Sequence, residues 1–535
     1  MLFLLLACTP DEASTPNDTT DSADTAPVGD PYCTENGFSP VAAWDAVGPY
    51  GELRHQIADD FSVPLTDGTI WIFSERYTGC DSYVLIPDSI ARASDDDRSI
   101  WTRDVNKLIE GSPKNVHYFF VSTQRADEDA LVATDGVSAK IADALADLPA
   151  DDATWWAEHL HVVSGPAKSL NNWVESVILR GHGTGGFAVD RFQRVRGVGS
   201  TADVSRSDPG SSWPFQNSLH YFAHEARYLE MEARRQERLD AADATLVPLW
   251  TGEVIAEYAD MEAALPSAAE MAGFDTFEID VDMRCPDPEA AEFANCGAWD
   301  YIAAFYVQEA DESWTELGRF ITSYHRETRW VLDATPMMAH LLDGGTRNFR
   351  WSWAPSWNTQ PTETRINLRF SNQGKGFAPR AVTKVASGGS FGSAYNVGRE
   401  PVDVPVSAAA KHVELWAVTT GHGAGTNSCA EFCNSEHEFT IEGTSFSQEF
   451  PEASTAEGCI SQIEDQMVPN QGGTWWYGRG GWCPGQQVEP YQVDLTSLVT
   501  PGDSATVGYR GLFAGGEPPD GSGDIVLNAW FVVYE

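Results

Sequence analysis

Apolar residues follow two different patterns along the chain. Residues 83–86 and 116–121 form almost unbroken apolar runs of strand length, which are typical of strands covered on both faces of a sheet. Residues 100–110 and 136–147 have helical periodicity instead. This alternation predicts an α/β domain over residues 31–215.

Beyond residue 245 the pattern changes to short strands of alternating polarity. They are clearest at residues 276–281, 365–370, 413–418 and 530–534, with clusters of Gly, Pro, Asn and Asp between them. This texture is typical of antiparallel β-sandwiches. About 290 residues are too many for one sandwich and suit two, so we predict one at 245–385 and a second at 386–535.

Between these regions, residues 216–244 form a strongly charged stretch with helical character. Glu225, Arg227, Glu232, Arg234 and Arg235 all fall within it. Glu/Arg pairs at helical spacing give modest support to an exposed helix. We therefore predict a solvated helix that connects the two halves.

The first eight residues are an apolar run that ends in Cys8. The run is too short to span a bilayer, but Leu5-Leu6-Ala7-Cys8 resembles the end of a bacterial lipoprotein signal. A basic segment before the run is missing, and a chance apolar N-terminus is the alternative. Residues 9–30 have the composition of a disordered acidic tether. These features predict lipidation at Cys8 and an exported cell-envelope lipoprotein, at the outer membrane or the cell surface.

The formal charge of −45 argues against anionic partners. Such a surface repels phosphate backbones, so we expect no nucleic-acid binding. Without Cys8, eight of the nine cysteines remain, which suits four disulfides in an oxidising compartment. Zinc is the competing explanation, but no Cys-x-x-Cys pair exists. The spacings, with elimination for the last pair, predict Cys285–Cys296, Cys429–Cys433, Cys459–Cys483 and Cys33–Cys80.

Two acidic residues and one arginine lie in settings that suit chemistry. Asp300 follows the predicted Cys285–Cys296 bridge, and Glu431 lies inside the small ring that Cys429–Cys433 would close. A ring of this size would hold a carboxylate in one direction. An acidic residue on a stapled surface loop is an equally good interpretation of each.

The third segment, residues 470–485, is rich in glycine and aromatic residues. Trp475 and Trp476 could form a platform for sugar rings, and Arg479 would supply fixed donors to sugar or carbonyl oxygens. A glycine-rich loop whose tryptophans simply pack is the alternative.

Residues from about 275 to 535 resemble the peptide-N-glycosidase F family. The motifs are Cys285-Pro286, the segment from Cys296 to Asp300, residues 305–307 and 318–322, Cys-Ala-Glu-Phe-Cys at 429–433 with His437, and residues 479–485. The resemblance implies two jelly-roll sandwiches packed side by side, and an amidase that removes N-linked glycans from asparagine without a metal or cofactor.

Residue by residue, the resemblance implies that Asp300 is the principal catalytic aspartate, Glu431 a supporting glutamate and Arg479 an active-site arginine, while Trp299 is a cleft tryptophan. The sequence departs from the family at three further positions that we assign to substrate binding. No acid lies near Trp353, Tyr301 replaces an arginine, and His422 replaces a tryptophan.

The N-terminal region resembles the thioredoxin-like fold of the peroxiredoxin group, through residues 58–68 and 187–192. A redox member would need a cysteine just after the first buried strand, where Ile86 is followed by Pro87, Asp88 and Ser89. We therefore expect a redox-silent module used for binding or spacing.

Three functions remain open: an amidase acting on N-glycosylated proteins or glycopeptides, a catalytically degenerate carbohydrate- or glycoprotein-binding protein of the same fold, and a surface protein that uses its N-terminal module for partner contact. A copper monooxygenase would need clustered histidines, and His159 with His161 is better explained by a strand. We expect a monomer.

Overall fold

The computed structural model describes residues 31–88, 100–180, 185–204, 218–297, 299–423 and 425–535. The predictions for the signal at 1–8, for the tether at 9–30 and for lipidation of Cys8 concern residues outside these ranges. Within them, no helix combines the length and apolar character needed to cross a bilayer.

The N-terminal region is a mixed α/β domain, as the sequence predicts. Its strands are β1 (Ser62–Pro64), β2 (Ile70–Ile72), β3 (Ser82–Pro87), β4 (Val116–Ser122), β5 (Leu160–Pro166), β6 (Phe187–Val189) and β7 (Val195–Gly197). Its helices are α1 (Pro31–Glu35), α2 (Phe73–Arg76), α3 (Val105–Glu110), α4 (Asp127–Ala146), α5 (Ala150–Ala157) and α6 (Trp173–Arg180), with short 3₁₀ turns at Ile100–Thr102 and Ala167–Ser169.

The main sheet of this domain has the order β5-β4-β3-β6-β7. Strands β3, β4 and β5 are parallel, and β6 and β7 continue the sheet in antiparallel fashion. Every residue of β3 and β4 is buried, because apolar clusters cover both faces of the sheet. The two apolar runs are thus confirmed as strands buried on both faces. The strand interpretation is confirmed for His161, which lies in β5, whereas His159 directly precedes that strand.

Helix α7 (His220–Ala241) follows this domain. It lies within the predicted interval, but the prediction that it is solvated is wrong. Tyr221, Phe222, His224, Glu225 and Arg235 are among its buried residues. The helix is covered because its partners come from distant parts of the chain, which a local charge pattern does not reveal.

The C-terminal half consists of two antiparallel β-sandwiches, as predicted. The first contains β8 (Ala244–Ile255), β9 (Tyr258–Ser267), β10 (Thr276–Arg284), β11 (Ile302–Gln308), β12 (Trp314–Ile321), β13 (Thr328–Asp333), β14 (Gly344–Ser352) and β15 (Thr362–Ser371), with helix α8 (Ala268–Met271) and a 3₁₀ helix at Thr335–Leu341. Its two sheets have the orders β13-β10-β15-β8 and β12-β11-β14-β9.

The second sandwich contains β16 (Pro379–Ser390), β17 (Val402–Pro405), β18 (His412–His422), β19 (Ser435–Ile441), β20 (Thr444–Glu449), β21 (Tyr491–Asp494), β22 (Ser504–Phe513) and β23 (Asp524–Tyr534), with helix α9 (Cys429–Phe432) and a 3₁₀ helix at Ile460–Asp465. Its sheets, β16-β23-β18-β21 and β17-β22-β19-β20, repeat the strand order of the first sandwich. Eight strands in two sheets are what jelly rolls contain. The predicted boundary at 385 falls inside β16, which pairs with β23, so the second sandwich begins at Pro379.

The two sandwiches pack against each other through one sheet of the second. Leu415 and Ala417 of β18 face the core of the second sandwich, whereas Trp416 and Val418 join the cluster of the first. Both faces of β18 are therefore buried, and the loops at this end of the two sandwiches are brought together.

All four predicted disulfides are confirmed: Cys33–Cys80, Cys285–Cys296, Cys429–Cys433 and Cys459–Cys483.

Candidate functional site

Asp300, Glu431 and Arg479 come together where the two sandwiches adjoin. Asp300 lies two residues before β11, Glu431 lies in α9, and Arg479 lies in the long connection between β20 and β21. Nη2 of Arg479 is 3.4 Å from Oδ2 of Asp300, and Nε donates to Oε1 of Glu431 over 3.3 Å. One guanidinium thus lies between carboxylates from two different sandwiches.

The guanidinium of Arg479 is fixed by its own loop. Nη1 donates to the carbonyl oxygens of Thr474 (3.2 Å) and Tyr477 (2.6 Å), and Nη2 donates to Oγ1 of Thr474 (3.1 Å). Its plane centre lies 4.9 Å from the ring centroid of Trp482. The side chain is 2% exposed, against 18% for Asp300 and 14% for Glu431. The carboxylates are thus more exposed than the guanidinium, whose contacts suit it to orienting them.

Two features hold Glu431 in place: the Cys429–Cys433 ring and a hydrogen bond from the backbone of Gly423. The ring encloses the single turn of α9, and the backbone N–H of Gly423 donates to Oε2 of Glu431 over 2.7 Å. A Cβ at position 423 would lie 3.0 Å from that oxygen and 2.7 Å from Cβ of Ser428, so this close approach requires glycine. The carboxylate therefore has one direction.

Burial raises the pKa of both carboxyl groups. For Asp300, the guanidinium of Arg479 and a hydrogen bond from Tyr324 oppose the effect of burial without cancelling it. For Glu431, the N–H of Gly423 and the guanidinium oppose burial, while the nearby charge of Asp300 adds to it. Two carboxyls with raised pKa values at one place are suited to proton transfer.

Tyr324 is a functional candidate that the sequence did not reveal. Its phenol hydrogen-bonds to Asp300 and Thr474, and burial raises the pKa of the phenol. Its backbone N–H donates to Oε1 of Gln471 over 2.8 Å. Tyr324 thus ties the aspartate of the first sandwich to the loop that carries Arg479. Thr322 lies in the motif at residues 318–322, and its Oγ1 accepts the N–H of Tyr301 over 2.7 Å.

Aromatic residues flank Asp300 in the sequence of the first sandwich, and two of the rings in this region are exposed. Trp299 is 53% exposed and Trp357 is 76% exposed. The ring of Tyr301 meets Trp357 edge-on at 5.4 Å, and its hydroxyl accepts from Nδ2 of Asn358 over 2.7 Å. Trp299 and Tyr301 are therefore placed where a ligand could reach them, and Trp357 joins them.

The predicted substrate contacts of three other tryptophans are wrong. Trp353 is 2% exposed and points into the core of the first sandwich. It lies two residues after Trp351, which faces the same core. Trp475 and Trp476 are buried in a cluster with residues of the N-terminal domain. Their apolar faces are covered by protein, so they offer no platform to a sugar.

His422 is part-buried beside the guanidinium. Its ring stacks on Trp482 at 5.2 Å, and Nε2 is 2.9 Å from Oγ1 of Thr420. Burial, helped by the charges of Arg319 and Arg479, lowers the pKa of His422 to about 4. The imidazole is neutral at pH 7 and does not supply charge to the site.

The N-terminal domain packs directly on the loop that carries Arg479. Nε1 of Trp475 donates to Oγ1 of Thr201 over 3.1 Å, and that hydroxyl donates to the carbonyl of Gln471 over 2.5 Å. Nδ2 of Asn470 donates to the carbonyl of Tyr221 over 2.9 Å. The N-terminal domain is therefore in direct contact with the arginine loop.

A buried ion pair fixes the same junction. Arg326 donates from both Nη atoms to the carboxylate of Glu225 in α7, over 2.7 and 2.8 Å. Both side chains are at most 4% exposed. Nδ2 of Asn470 reaches the same carboxylate over 3.2 Å. Glu225 thus connects the N-terminal half, the first sandwich and the start of the arginine loop.

These features define a class: a protein with two adjoining antiparallel β-sandwiches and a carboxylate–guanidinium–carboxylate cluster at their junction. Residues 390–531 match the family model described as "Peptide-N-glycosidase F, C terminal". The resemblance inferred from the sequence is thereby confirmed for the second sandwich, which carries Glu431 and Arg479.

The chain is also a distant homologue of a named amidase. It is 24% identical over 267 residues to peptide-N(4)-(N-acetyl-beta-D-glucosaminyl)asparagine amidase F of Elizabethkingia miricola, covering 46% of this chain and 71% of that protein. Similar solved structures include PNGase F, a glycosylasparaginase from Flavobacterium meningosepticum (19% identity, 54% of this chain, 96% of the other, TM-score 0.45). Another is PNGF-II (13% identity, 58% of this chain, 67% of the other, TM-score 0.40).

Proposed function

We propose that the protein is an amidase that hydrolyses the bond between the asparagine side chain and the first N-acetylglucosamine of N-linked glycoproteins or glycopeptides. The observation that carries the proposal is the pair of solvent-reaching carboxyls with raised pKa values, held around the buried guanidinium of Arg479. The activity in the name of the distant homologue supports it.

In this reaction water adds to the amide carbonyl and the carbon–nitrogen bond breaks. The products are an aspartate side chain and a glycosylamine. Asp300 takes the proton of the attacking water, or hydrogen-bonds to the first sugar, and the nitrogen gains a proton as it leaves. Glu431 orients the water or a sugar hydroxyl. Arg479 holds both carboxylates in place and needs no contact with the substrate. The reaction as proposed uses neither metal nor cofactor.

The test uses the chain from residue 31 onward and a denatured N-glycosylated protein. Mass spectrometry detects conversion of the glycosylated asparagine to aspartate. Asp300→Asn should lower the rate about 10²–10⁴-fold without changing thermal stability greatly. Asp311→Asn, at an exposed turn, is the matched control and should keep full activity. Absence of product from the wild-type chain on several glycan types would refute the proposal.

A carbohydrate- or glycoprotein-binding protein without turnover is the second candidate. The exposed rings of Trp299 and Trp357 favour it, because pyranose rings stack on exposed indoles, and so does Tyr301 in place of the family's arginine. Glycopeptide binding that Trp299→Ala weakens, in a chain that releases no glycan, would select this candidate over the amidase.

We further propose that the N-terminal domain is thioredoxin-like and redox-silent. The parallel β5-β4-β3 core with an antiparallel β6-β7 extension supports the fold. The Cys33–Cys80 disulfide supports the silence, because both cysteines are 0% exposed and an external thiolate cannot reach their sulfurs. A thiol–disulfide exchange assay with the oxidised chain should show no turnover, and measurable turnover would overturn this assignment.

Export and lipidation at Cys8 also remain proposals. Four disulfides support an oxidising compartment. Metabolic labelling with a fatty-acid analogue should mark the expressed chain and should fail for Cys8→Ala; equal labelling of both would refute it. We expect a monomer, which size-exclusion chromatography with light scattering would check.

A further inference from the structure

The N-terminal domain contains a buried polar cluster that shares no residue with the candidate site. Asp81 directly precedes β3, His117 is the second residue of β4, and His159 directly precedes β5. These strands are parallel neighbours, with Tyr83 opposite His117 and Tyr118 opposite Leu160. The register therefore places the three side chains at one edge of the sheet.

Burial makes this cluster unusual. Asp81 is 0% exposed, His159 is 2% exposed and His117 is 7% exposed. One ligand atom from each lies within 4.8 Å of the other two. Two imidazoles and a carboxylate at this depth cost desolvation free energy that an ordinary apolar core would not, and metal coordination is one of the ways in which buried charges are offset.

The hydrogen bonds on the outer side of the histidines direct their inner nitrogens toward the cluster. Nδ1 of His159 is 2.7 Å from the carbonyl oxygen of Trp155. A carbonyl only accepts, so Nδ1 carries the proton and Nε2 carries a lone pair. Nδ1 of His117 is 3.0 Å from Nε2 of His161, while its Nε2 faces Asp81. Histidines that bind metals are typically oriented by such a bond at the other ring nitrogen.

Tyr32 closes the cluster with a fourth oxygen. Its hydroxyl is 3.0 Å from Nε2 of His159 and 3.3 Å from Oδ1 of Asp81. Tyr32 precedes Cys33 and Asp81 follows Cys80, so the disulfide between these cysteines holds the two residues near each other. Oγ1 of Thr78 donates to Oδ2 of Asp81 over 2.7 Å, which orients the carboxylate.

The separations suit a small transition-metal ion. Two ligands at ~2.1 Å from a tetrahedral ion are ~3.4 Å apart. The distances from the hydroxyl of Tyr32 to Nε2 of His159 (3.0 Å) and to Oδ1 of Asp81 (3.3 Å), and from Nε2 of His117 to the other carboxylate oxygen, Oδ2 (3.7 Å), lie around that value. The rings of His117 and His159 stack at 4.3 Å, so one of them must turn for both nitrogens to reach the same ion. Two imidazoles with oxygen ligands favour Zn²⁺ or a similar ion over Mg²⁺ and Ca²⁺, which prefer oxygen alone.

We propose that Asp81, His117 and His159, with Tyr32 as the fourth ligand, bind one divalent first-row transition-metal ion such as Zn²⁺. The enclosed position gives the ion a structural role: it joins α1 to the edges of β3, β4 and β5. The Cys285–Cys296–Glu327 group does not compete among the described residues, because its two sulfurs form a disulfide.

The test uses the purified chain from residue 31 onward, stripped with a chelator and titrated with Zn²⁺ and, separately, with Co²⁺. Calorimetry should give one Zn²⁺ per chain at micromolar affinity or tighter, and thermal melting should rise on binding. Visible absorption of the Co²⁺ form should show the bands of low-symmetry nitrogen and oxygen ligation. A hydrogen-bonded cluster without a metal function would produce none of these signals.

His117→Gln and His159→Gln should each weaken Zn²⁺ binding roughly 100-fold or more, in line with the effect of disturbing even the groups around metal ligands. His412→Gln, at a part-exposed histidine of the second sandwich, is the control and should bind as wild type. If a variant does not fold, the wild-type Co²⁺ spectrum decides. The proposal would be overturned if the wild-type chain showed no saturable Zn²⁺ binding, or if His117→Gln and His159→Gln both bound Zn²⁺ as tightly as the wild type.

Discussion

Replacement of Glu225 by glutamine tests whether the N-terminal half and the first sandwich form one unit. The substitution keeps the shape of the side chain and removes its charge, so the guanidinium of Arg326 loses its closest anion. Breaking a buried pair by removing one partner costs about 3–5 kcal/mol. Glu292 is 3.6 Å from Nε of Arg326 and offers partial compensation, so we expect about 3 kcal/mol of lost unfolding free energy.

The assay is urea unfolding at pH 7, followed by hydrogen exchange of residues 466–483. Asp152→Asn, which breaks the half-exposed pair with Lys114, is the control and should cost less than about 1 kcal/mol. Glu225→Gln should also speed exchange in the arginine loop, because Asn470 loses part of its anchor. A stability loss no larger than the control's, with unchanged exchange, would refute the reasoning that this pair fixes the loop.

Three other perturbations test the loop and the carboxylates. Arg479→Gln removes the charge that lowers both carboxyl pKa values, so the acid limb of amidase activity should move to higher pH. Because a raised folded-state pKa favours folding at low pH, the variant's stability loss should be larger at about pH 7 than at about pH 4. A loss of stability that does not depend on pH would contradict this. Thr201→Val leaves the indole N–H of Trp475 without its acceptor and should cost about 1–3 kcal/mol in urea unfolding, whereas the exposed control Thr444→Val should change little; equal effects would exclude a role for the hydroxyl. Joint replacement of Cys429 and Cys433 by serine should lower the free energy of unfolding by about 2 kcal/mol, from the loop-entropy relation for so short a ring. The kcat should fall as well, because Glu431 loses its fixed direction. An unchanged kcat would show that the hydrogen bond from Gly423 is enough to hold the carboxylate.

The sequence predicted those parts of the fold that depend on local pattern. The apolar run at 116–121 became β4 because its burial on both faces is encoded by its own residues. The disulfides followed from spacing, and Asp300, Glu431 and Arg479 were recognised because each is next to a cysteine or a glycine-rich segment. The family match over residues 390–531 confirms the resemblance in the part of the chain that carries two of the three.

Features that depend on distant partners could not be predicted in this way. Helix α7 has a surface-like composition, yet Glu225 is buried because its partner Arg326 lies 101 positions later. The predicted sugar platform at Trp475 is wrong, because nothing in the neighbouring sequence indicates that Thr201 contacts this side chain. Trp353 was misassigned because the resemblance supplied a position for it and no direction for its side chain.

The shared core of the N-terminal domain and the arginine loop also constrains the order of assembly. The contact between Trp475 and Thr201 spans 274 positions, and that between Asn470 and Glu225 spans 245. Domains synthesised first tend to fold first, so the early-folding half must keep an apolar surface uncovered until the last sandwich has formed. Pairings of such long range are slow. Assembly of the Asp300–Arg479–Glu431 cluster should therefore be the final kinetic phase, lagging behind the appearance of β-sheet signal in a refolding experiment.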